Sequence, residues 1–480
     1  MWNFQLEAIK YCKLDCKTLH DILTKFNELI FNEFKVNVHK PLTLPALAMR
    51  IYKTQYMPAD TIYQLLGKPE VNIRNSYTGG AVDVYIPHNR LSAIFSNIKA
   101  TFIKLYSYDV NSLYPFIMAN TAMPVGKPIY FDGDIRKVEP DSFGFFYCKI
   151  ISPDYLEHPI LQRRIKTSDG LRTIAGLGSW YGYIFSAEMD NAIKYGYTFD
   201  ILKGYQFDKG FIFKEYVDKM YDLRMNYLKG NPMNLIAKLL MNSLYGKFGM
   251  KLETTIIDIF DTSCETENAI FKDLLDVYGE TIKDYVEIDN HVISIRNSLI
   301  NYKYNEDEDM FHGLDVNIAI ASAITGGARM WMSTIKNNPN FKLFYSDTDN
   351  VVIDRPLPSF MIGSKLGQFK LEYIINRAVF LAPKVYGLKT EAGDEIIKIK
   401  GLNKNLLQDI QIQDLESLLS YDSSKEFNQS KWYKKVLLGE ITVSDIAYTL
   451  KVTSNKRSPI YIDGIYSNTE PFIYDEIISK

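Results

Sequence analysis

Two aspartates, in the sequence Asp347-Thr348-Asp349, lie between two strongly apolar runs of the chain. The first run ends near Phe344 and the second begins at Val351, which predicts two short strands joined by a tight turn with two carboxylates at its tip. Carboxylates this close repel each other unless a cation lies between them, and such hard oxygen ligands suit Mg²⁺. The alternative is a polar hairpin turn, because Asp and Asn favour turns in any protein, and for the isolated segment this is the favoured interpretation.

The composition is that of a globular protein with 480 residues, of which 46% are hydrophobic and 23% are charged. With a net charge of −2, any surface that binds nucleic acid must come from local clusters of Lys and Arg. The four cysteines are too few for a disulfide framework in a chain of this size. No apolar run is long enough to span a bilayer and no signal-peptide pattern begins the chain, so we expect a soluble intracellular protein without a membrane partner.

Hydrophobic periodicity predicts four helices, over residues 3–34, 213–228, 234–248 and 316–332. A Gly-Asn-Pro break separates the second from the third, so these two are expected to form a helical hairpin. A strand-rich stretch is predicted from the aspartate turn to about residue 400. Residues 251–314 are predicted to be irregular and polar, and the last 80 residues to mix helices and turns.

A third acidic residue, Asp109, ends a predicted buried strand over residues 103–109, just before a helix predicted to start near Ser112. A carboxylate in this position can bind a metal ion while the helix N-terminus offers N–H groups to a phosphate. The alternative is a simple helix cap, which is the commoner use of an isolated aspartate before a helix.

On the second helix of the predicted hairpin, Lys238, Asn242 and Tyr245 are spaced i, i+4 and i+7, so they share one face. Lys238 can bind a phosphate and Tyr245 can stack on a base or sugar, while Arg224 on the preceding helix can add a second phosphate contact. A solvated helix face of similar composition is the alternative.

Together these segments closely resemble the family B DNA polymerases. The chain contains D-x-x-S-L-Y-P at 109–115, K-x-x-x-N-S-x-Y-G at 238–246 and Y-x-D-T-D at 345–349, in the order found in that family. Asn350 departs from the pattern, because the family often has Ser there. Further resemblances are Y-x-G-G at 77–80, K-x-Y at 384–386 and Lys-Gly at 400–401.

The resemblance implies a role for each matching residue. The catalytic residues would be Asp109, Asp347 and Asp349, and these three with the Val110 carbonyl would hold two Mg²⁺ ions. Asp349 is expected to ligate the metal directly and Asp347 to assist. The residues implied to bind the incoming nucleotide are Ser112, Leu113, Tyr114, Arg224, Lys238, Asn242 and Tyr245. Those implied to bind DNA are Tyr77, Gly79 and Gly80, which would contact the template, and Lys384, Tyr386 and Lys400, which would hold the primer.

The fold implied by the resemblance is an α+β multidomain, right-hand polymerase with an antiparallel palm sheet, helical fingers and a thumb, preceded by an exonuclease-domain remnant. The implied division is 1–40 remnant, 41–100 linker to the palm, 101–124 and 313–400 palm, 206–250 fingers and 401–480 thumb. The segments 125–205 and 251–312 resemble insertions of the protein-primed branch, which imply terminal-protein binding for the first and strand displacement for the second.

The expected function is template-dependent addition of dNTPs to a primer 3′ end or to a terminal-protein hydroxyl, by a monomer acting on template and primer DNA. The ending at 453–461 resembles polymerases of fungal mitochondrial linear plasmids, which implies plasmid replication in mitochondria. Tyr11 and Asp15 match only the last exonuclease motif, and a lone aspartate cannot hold two metals, so we expect no proofreading. The alternative is an inactive relative that only binds DNA or terminal protein.

Overall fold

The computed structural model describes residues 3–474 except 40, 42, 92–100, 168–169, 252, 279–281, 289–290, 300–302, 306–309, 313–315 and 436–439. Residues 92–100, which are part of the predicted linker, therefore lie outside the described residues. The helices of the described residues are α1 (Phe4–Phe34), α2 (Leu44–Gln55), α3 (Gly67–Arg74), α4 (Leu113–Asn120), α5 (Ser186–Ile193), α6 (Lys214–Asn226), α7 (Pro232–Phe248), α8 (Glu265–Tyr278), α9 (Ile318–Lys336), α10 (Lys404–Leu407) and α11 (Ile412–Ser417).

The strands occur along the whole chain after the first three helices. They are β1 (Val82–Val84), β2 (Leu105–Val110), β3 (Met123–Asp132), β4 (Gly144–Ile151), β5 (Arg163–Thr167), β6 (Gly170–Ile174), β7 (Ser179–Phe185), β8 (Thr198–Gly210), β9 (Glu253–Asp261), β10 (Ile282–Ile288), β11 (His291–Leu299), β12 (Lys303–Asn305), β13 (Met310–His312), β14 (Leu343–Asp347), β15 (Asn350–Ile353), β16 (Phe369–Ala382), β17 (Val385–Thr390), β18 (Glu395–Ile399), β19 (Ser424–Lys435), β20 (Glu440–Lys451), β21 (Arg457–Ile462) and β22 (Ile465–Pro471).

A seven-stranded antiparallel sheet with the order β1-β14-β15-β2-β16-β17-β18 forms the centre of the molecule. Its central strands are rich in Val, Ile, Leu and aromatic residues, and Leu105, Val351 and Ile353 are fully buried. Because β2 lies between β15 and β16, the sheet joins the segment around Asp109 to the aspartate hairpin. The predicted antiparallel palm sheet and the strand-rich stretch to residue 400 are confirmed.

Helix α9 packs in the core, and nearly all of its side chains are buried. Small residues allow neighbouring helices to come close: a Cβ on Gly327 would lie 2.5 Å from Cγ2 of Ile117 in α4. Asn317 caps the helix by accepting hydrogen bonds from the N–H groups of Ala319 and Ile320. The prediction of a buried helix over 316–332 is confirmed. In the described residues no helix is both long enough and apolar enough to cross a membrane.

Helices α6 and α7 form the predicted hairpin. The Asn231 side chain caps α7, and Pro232 follows at its first turn, where no backbone N–H is needed. The Asn234 amide donates hydrogen bonds of 2.8 Å to the carbonyls of Arg224 and Tyr227, which fixes the end of α6 against the start of α7. This clamp sets the position of Arg224 relative to the polar face of α7.

Four further strands form a separate antiparallel sheet with the order β3-β8-β4-β7, called here the insertion sheet. It extends slightly beyond the predicted insertion at 125–205 on both sides, and the short hairpin β5–β6 follows β4 in the chain. Phe146 and Cys148 pack in a core cluster that also includes Tyr474 from the end of the described chain, whereas Phe145 and Phe207 belong to the cluster that contains α9. The Tyr474 hydroxyl donates to the Ile174 carbonyl and accepts from the Gly176 N–H, which ties the C-terminal segment to the insertion.

Two sequence-based predictions are wrong. Residues 251–314 are not irregular throughout, because they contain α8 and a three-stranded antiparallel sheet with the order β10-β11-β9. The last 80 residues are not mainly helices and turns, because the short α10 and α11 are followed by the antiparallel hairpins β19–β20 and β21–β22. Strand β19 is rich in polar residues, so its sequence lacks the apolar alternation that predicts a strand. It forms a two-stranded ribbon with β20, in which the backbone hydrogen bonds between the two strands stabilise them although many side chains are exposed.

Candidate active site

Asp109 and Asp349 lie side by side at one end of neighbouring strands. Asp109 is opposite Asn350 in the β2–β15 register, and the Val110 N–H donates a 2.9 Å hydrogen bond to the Asp349 carbonyl. The turn that presents Asp349 passes through Thr348, whose φ of 59° is in the left-handed region. Asp109 does not cap α4, since the N-cap of that helix is Ser112. The structure therefore places the two carboxylates together.

Both carboxylates line a cavity of about 710 Å³, called here the active-site cavity. Its lining also contains Val110 and all the residues predicted to bind the nucleotide, namely Ser112, Leu113, Tyr114, Arg224, Lys238, Asn242 and Tyr245. The start of α4 and the α6–α7 hairpin thus bring their polar side chains to the acidic end of the central sheet. The rings of Tyr114 and Tyr245 contact each other, with centroids 4.3 Å apart.

The electrostatics of this cavity favour a cation. Burial raises the pKa of Asp109 to about 7, and repulsion by Asp349 and Glu372 adds to the rise, while Lys370 and Lys238 oppose it. Burial also raises the pKa of Asp349, with a further contribution from Asp347. A positive ion between Asp109 and Asp349 would remove the repulsion that makes their ionised forms costly.

These residues fit Mg²⁺ better than a metal held by protein groups alone. The described residues contain no cluster of three or more His, Cys, Asp and Glu side chains arranged to hold a metal. Mg²⁺, however, is usually bound by one or two carboxylates together with substrate phosphates, and it keeps several waters. The carboxylates of Asp109 and Asp349, with the Val110 carbonyl as the predicted further ligand, are such a set of hard oxygen donors.

Asp347 is placed differently from the other two acids. Its carboxylate oxygens lie 2.6 and 2.9 Å from Nζ of Lys384, a predicted DNA-binding residue, and it is not among the residues that line the active-site cavity. The Lys384 N–H donates to the Tyr345 hydroxyl, and the Tyr345 ring lies 5.4 Å from that of Tyr386. The Lys400 N–H donates to the Lys384 carbonyl. The three residues predicted to hold the primer therefore gather beside Asp347.

The loop at residues 77–80 lies against the aspartate hairpin. A Cβ on Gly80 would lie 2.6 Å from Cγ2 of Thr348, so only glycine allows this approach, and the Thr348 N–H donates to the Ala81 carbonyl. Arg329 of α9 donates to the Thr78 and Gly79 carbonyls at 2.7 and 3.0 Å. The predicted template-contacting loop is thus fixed directly beside the carboxylates.

Sequence reasoning missed four charged residues of this region. Arg329 forms a buried, bidentate ion pair with Glu188 of α5, at 2.7 and 2.9 Å. Lys370 and Glu372 of β16 line the active-site cavity, and Lys370 is opposite Asp109 in the β16–β2 register. An arginine inside an apolar helix was a visible signal for Arg329, whereas Lys370 and Glu372 belong to a run with no distinctive spacing.

Tyr11 and Asp15 are not brought to this site. Both lie in α1, whose N-terminal half is exposed, and 67% of the Tyr11 surface is accessible. Only Ile30 and Phe34, at the C-terminal end of α1, are buried. The assignment of residues 1–40 to an exonuclease remnant stays a prediction.

Residues 1–340 match the family described as type B DNA polymerases of organelles and viruses. The chain belongs to that family. Among relatives of this type B polymerase, a probable DNA polymerase of Ascobolus immersus is 35% identical over 468 residues, covering 96% of this chain and 36% of the relative. One from Neurospora intermedia is 35% identical over 454 residues, covering 92% of this chain and 43% of the relative. The type B polymerase chain thus spans about two fifths of the length of these fungal relatives.

The fold of this type B polymerase is similar to that of phi29 DNA polymerase, with a TM-score of 0.61 at 17% sequence identity, covering 88% of this chain and 70% of the other. A structure of phi29 DNA polymerase with primer-template DNA and incoming nucleotide gives a TM-score of 0.59. The similarity confirms the α+β right-hand polymerase fold. The boundaries of its subdomains stay predictions.

Proposed function

We propose that this chain is a DNA-directed DNA polymerase that adds dNTPs to a primer 3′ end by nucleotidyl transfer. One observation carries the proposal: the carboxylates of Asp109 and Asp349 share a cavity with the cationic side chains of Lys238 and Arg224. An acidic wall can hold divalent metal and a basic wall can hold a triphosphate, which is the pair of functions that nucleotidyl transfer requires.

Each wall has a distinct task in this mechanism. Lys238 and Arg224 bind the triphosphate and neutralise the charge that develops on it. Asp109, Asp349 and the Val110 carbonyl would hold two Mg²⁺ ions, which when bound activate the primer hydroxyl and stabilise the pyrophosphate leaving group. Ser112 and Leu113 offer the N-terminus of α4 to phosphates.

The remaining side chains select the substrate and hold the DNA. Tyr114, whose ring packs against the Tyr245 ring, lies under the sugar of the nucleotide and excludes a 2′-hydroxyl. Asn242 and Tyr245 contact the nascent base pair. Lys384, Tyr386 and Lys400 hold the primer strand, and Tyr77, Gly79 and Gly80 contact the template. Two contacts with the aspartate hairpin support these assignments. Lys384 is hydrogen-bonded to Asp347, and Gly80 lies against Thr348.

The test is single-nucleotide incorporation on a primed template with Mg²⁺. We expect incorporation by the wild-type chain and its loss, by at least about 100-fold, in Asp109→Asn and Asp349→Asn. Asp141→Asn, an exposed aspartate outside the cavity lining, is the matched control and should keep full activity. If the chain binds primed DNA without extending it, the inactive alternative is correct.

We further propose that the insertion at 125–205 binds a terminal protein whose hydroxyl primes synthesis. The resemblance to protein-primed polymerases supports this, as does the separate insertion sheet, whose strands pair only with one another in the described residues. Deleting residues 166–171 in the middle of the insertion, while keeping Arg163 and Arg164, should abolish protein-primed initiation while DNA-primed extension persists. Equal loss of both reactions would contradict this partner.

We also propose that the protein acts as a monomer in mitochondria and replicates a linear plasmid. Support comes from the resemblance of residues 453–461 to plasmid polymerases and from the fungal source of the 35% identical relatives. Fractionation of host cells should place the protein in the mitochondrial matrix, and light scattering should give the mass of one chain. A cytosolic location would contradict the proposed mitochondrial function, and a dimeric mass would contradict the proposed monomer.

A further inference from the structure

A second cavity, of about 370 Å³, lies along the outer edge of strand β7 and is called here the tyrosine cavity. Strand β7 ends the insertion sheet, and in the described residues no strand pairs with its other edge. The residues of interest in the lining are three tyrosines and two arginines, Tyr147, Tyr181, Tyr183, Arg163 and Arg164. None of these residues belongs to the catalytic site proposed above.

The three tyrosines form a contiguous aromatic surface. Tyr147 of β4 is paired with Tyr183 of β7 and lies diagonally from Tyr181, so all three project from the same face of the sheet. The Tyr147 ring lies 5.0 Å from the Tyr183 ring and stacks on the Tyr181 ring at 6.4 Å. Tyr181 is 55% exposed, which leaves its ring free to take a planar group.

Part of this aromatic row is used for packing. The next ring along the sheet, that of Tyr205, is only 5% exposed, and its hydroxyl accepts a hydrogen bond from the Asn72 amide. The row therefore runs from Tyr181 at the cavity edge to the buried Tyr205, and it ends beyond Tyr205 at Tyr130 of β3, whose ring lies 5.8 Å from the Tyr205 ring. Packing in the core explains Tyr205. It does not explain Tyr181, whose exposed ring stacks on the Tyr147 ring at the cavity edge.

The charge around these rings is positive. Arg163, Arg164 and Arg329 line the tyrosine cavity, and its one acidic residue, Glu188, is neutralised by its ion pair with Arg329. Lys203 adds a cation 5.3 Å over the Tyr147 ring. Two acids lie on the same face of the sheet, and each is opposite a lysine: Asp132 is opposite Lys203 in the β3–β8 register, and Asp200 is opposite Lys149 in the β4–β8 register. Cations interleaved with exposed aromatic rings suit the phosphates and bases of a single nucleic-acid strand.

The 77–80 loop links the tyrosine cavity to the proposed active site. Nη2 of Arg164 donates a 2.7 Å hydrogen bond to the Tyr77 carbonyl, and Thr78 lines the cavity. The other end of the loop, at Gly80, contacts Thr348 of the aspartate hairpin. A strand that leaves the active site over this loop therefore reaches the tyrosines next.

We propose that the tyrosine cavity binds the single-stranded template ahead of the active site, with bases stacked on Tyr181 and Tyr147 and phosphates on Arg164 and Lys203. The proposal rests on the proposed polymerase function, because it names the path of the template strand. A protein partner that covers the same face is the competing occupant, and the test below separates the two.

The experiment measures fluorescence anisotropy of labelled primer–template duplexes, without nucleotide, in the full chain. The duplexes have the same paired region and carry either no 5′ template overhang or one of about 10 nucleotides, a length within the range that single-strand sites cover. We expect the overhang to raise affinity by about tenfold or more. Tyr181→Leu should remove about fivefold of this gain and leave blunt-duplex affinity unchanged, whereas Tyr181→Trp should keep the gain because a larger ring also stacks.

Tyr155→Leu is the matched control, because Tyr155 is 72% exposed and lies within the insertion at 125–205, but outside the lining of the tyrosine cavity. It should behave as the wild-type chain. The proposal is overturned if the overhang gives no gain, if both leucine variants lose affinity equally, or if Tyr181→Leu weakens terminal-protein binding while the overhang gain persists. Because no nucleotide is used, an overhang effect without incorporation would count against the polymerase activity and not against this site.

Discussion

Lys384 binds the Asp347 carboxylate, with Nζ 2.6 and 2.9 Å from its two oxygens, and neither residue lines the active-site cavity. Asp349, two residues later, lines that cavity together with Asp109. The turn through Thr348 thus separates two acids that are almost adjacent in sequence. One is neutralised by a lysine, and the other is available to a metal.

We predict that the two acids differ in their effect on incorporation. Asp349→Asn should lower kcat by at least about 100-fold, because it removes a carboxylate from the proposed metal site. Asp347→Asn should cost about tenfold and mainly raise KM for primed DNA, because it acts through Lys384. Steady-state kinetics with varied primer–template would check this, and Lys384→Gln should reproduce the Asp347→Asn pattern. Equal losses of kcat in both aspartate variants would contradict the assignment.

The pH dependence of incorporation should respond in opposite directions to two neighbours of Asp109. Glu372 raises the pKa of Asp109 and Lys370 lowers it. Since the carboxylate is the active form, Glu372→Gln should move the acidic limb of the pH–rate profile to lower pH, and Lys370→Gln should move it to higher pH. Each variant is the control for the other, because loss of packing alone would not produce shifts of opposite sign. Shifts in the same direction would show that these charges do not act on Asp109.

The site was predictable from sequence where local geometry determines it. Helical spacing alone places Lys238, Asn242 and Tyr245 on one face, and that face does line the active-site cavity. The position of Lys370 opposite Asp109 instead depends on strand register between segments far apart in the chain, which no local pattern reveals. The polar strands of the C-terminal hairpins were missed for a related reason, since their strand pairing is visible only in the fold.

The ion pair between Glu188 and Arg329 should support both stability and template binding. Both side chains are less than one tenth exposed, so Glu188→Gln leaves a buried guanidinium without its counter-charge and should lower the free energy of unfolding by about 3 kcal/mol. Urea denaturation would measure this loss. The double variant Glu188→Leu with Arg329→Met should recover most of the stability, because apolar side chains of similar size can replace a buried pair.

Template binding distinguishes a positioning role for Arg329 from a merely structural one. Arg329 also donates to the carbonyls of Thr78 and Gly79, and the double variant removes these hydrogen bonds from the 77–80 loop. We therefore expect its affinity for primed template to stay about fivefold to tenfold below wild type even when stability is restored. Wild-type affinity in a stable double variant would show that Arg329 does not position the loop.

The stability of the fold should fall between neutral and mildly acidic pH because of His158. Burial lowers the pKa of this imidazole from 6.5 to about 4, and the ring contacts the Lys336 carbonyl at 2.7 Å and the Tyr85 ring at 4.6 Å. The unfolded chain therefore takes up a proton near pH 6.5 that the folded chain takes up only near pH 4, so stability is complete above 6.5 and is lost as the pH falls toward 4. At about pH 5 we expect a loss of roughly 1–2 kcal/mol relative to neutral pH. His158→Gln keeps an amide donor for the carbonyl but cannot titrate, so it should flatten this part of the profile in thermal unfolding. A profile as steep as that of the wild type would assign the acid sensitivity to other groups.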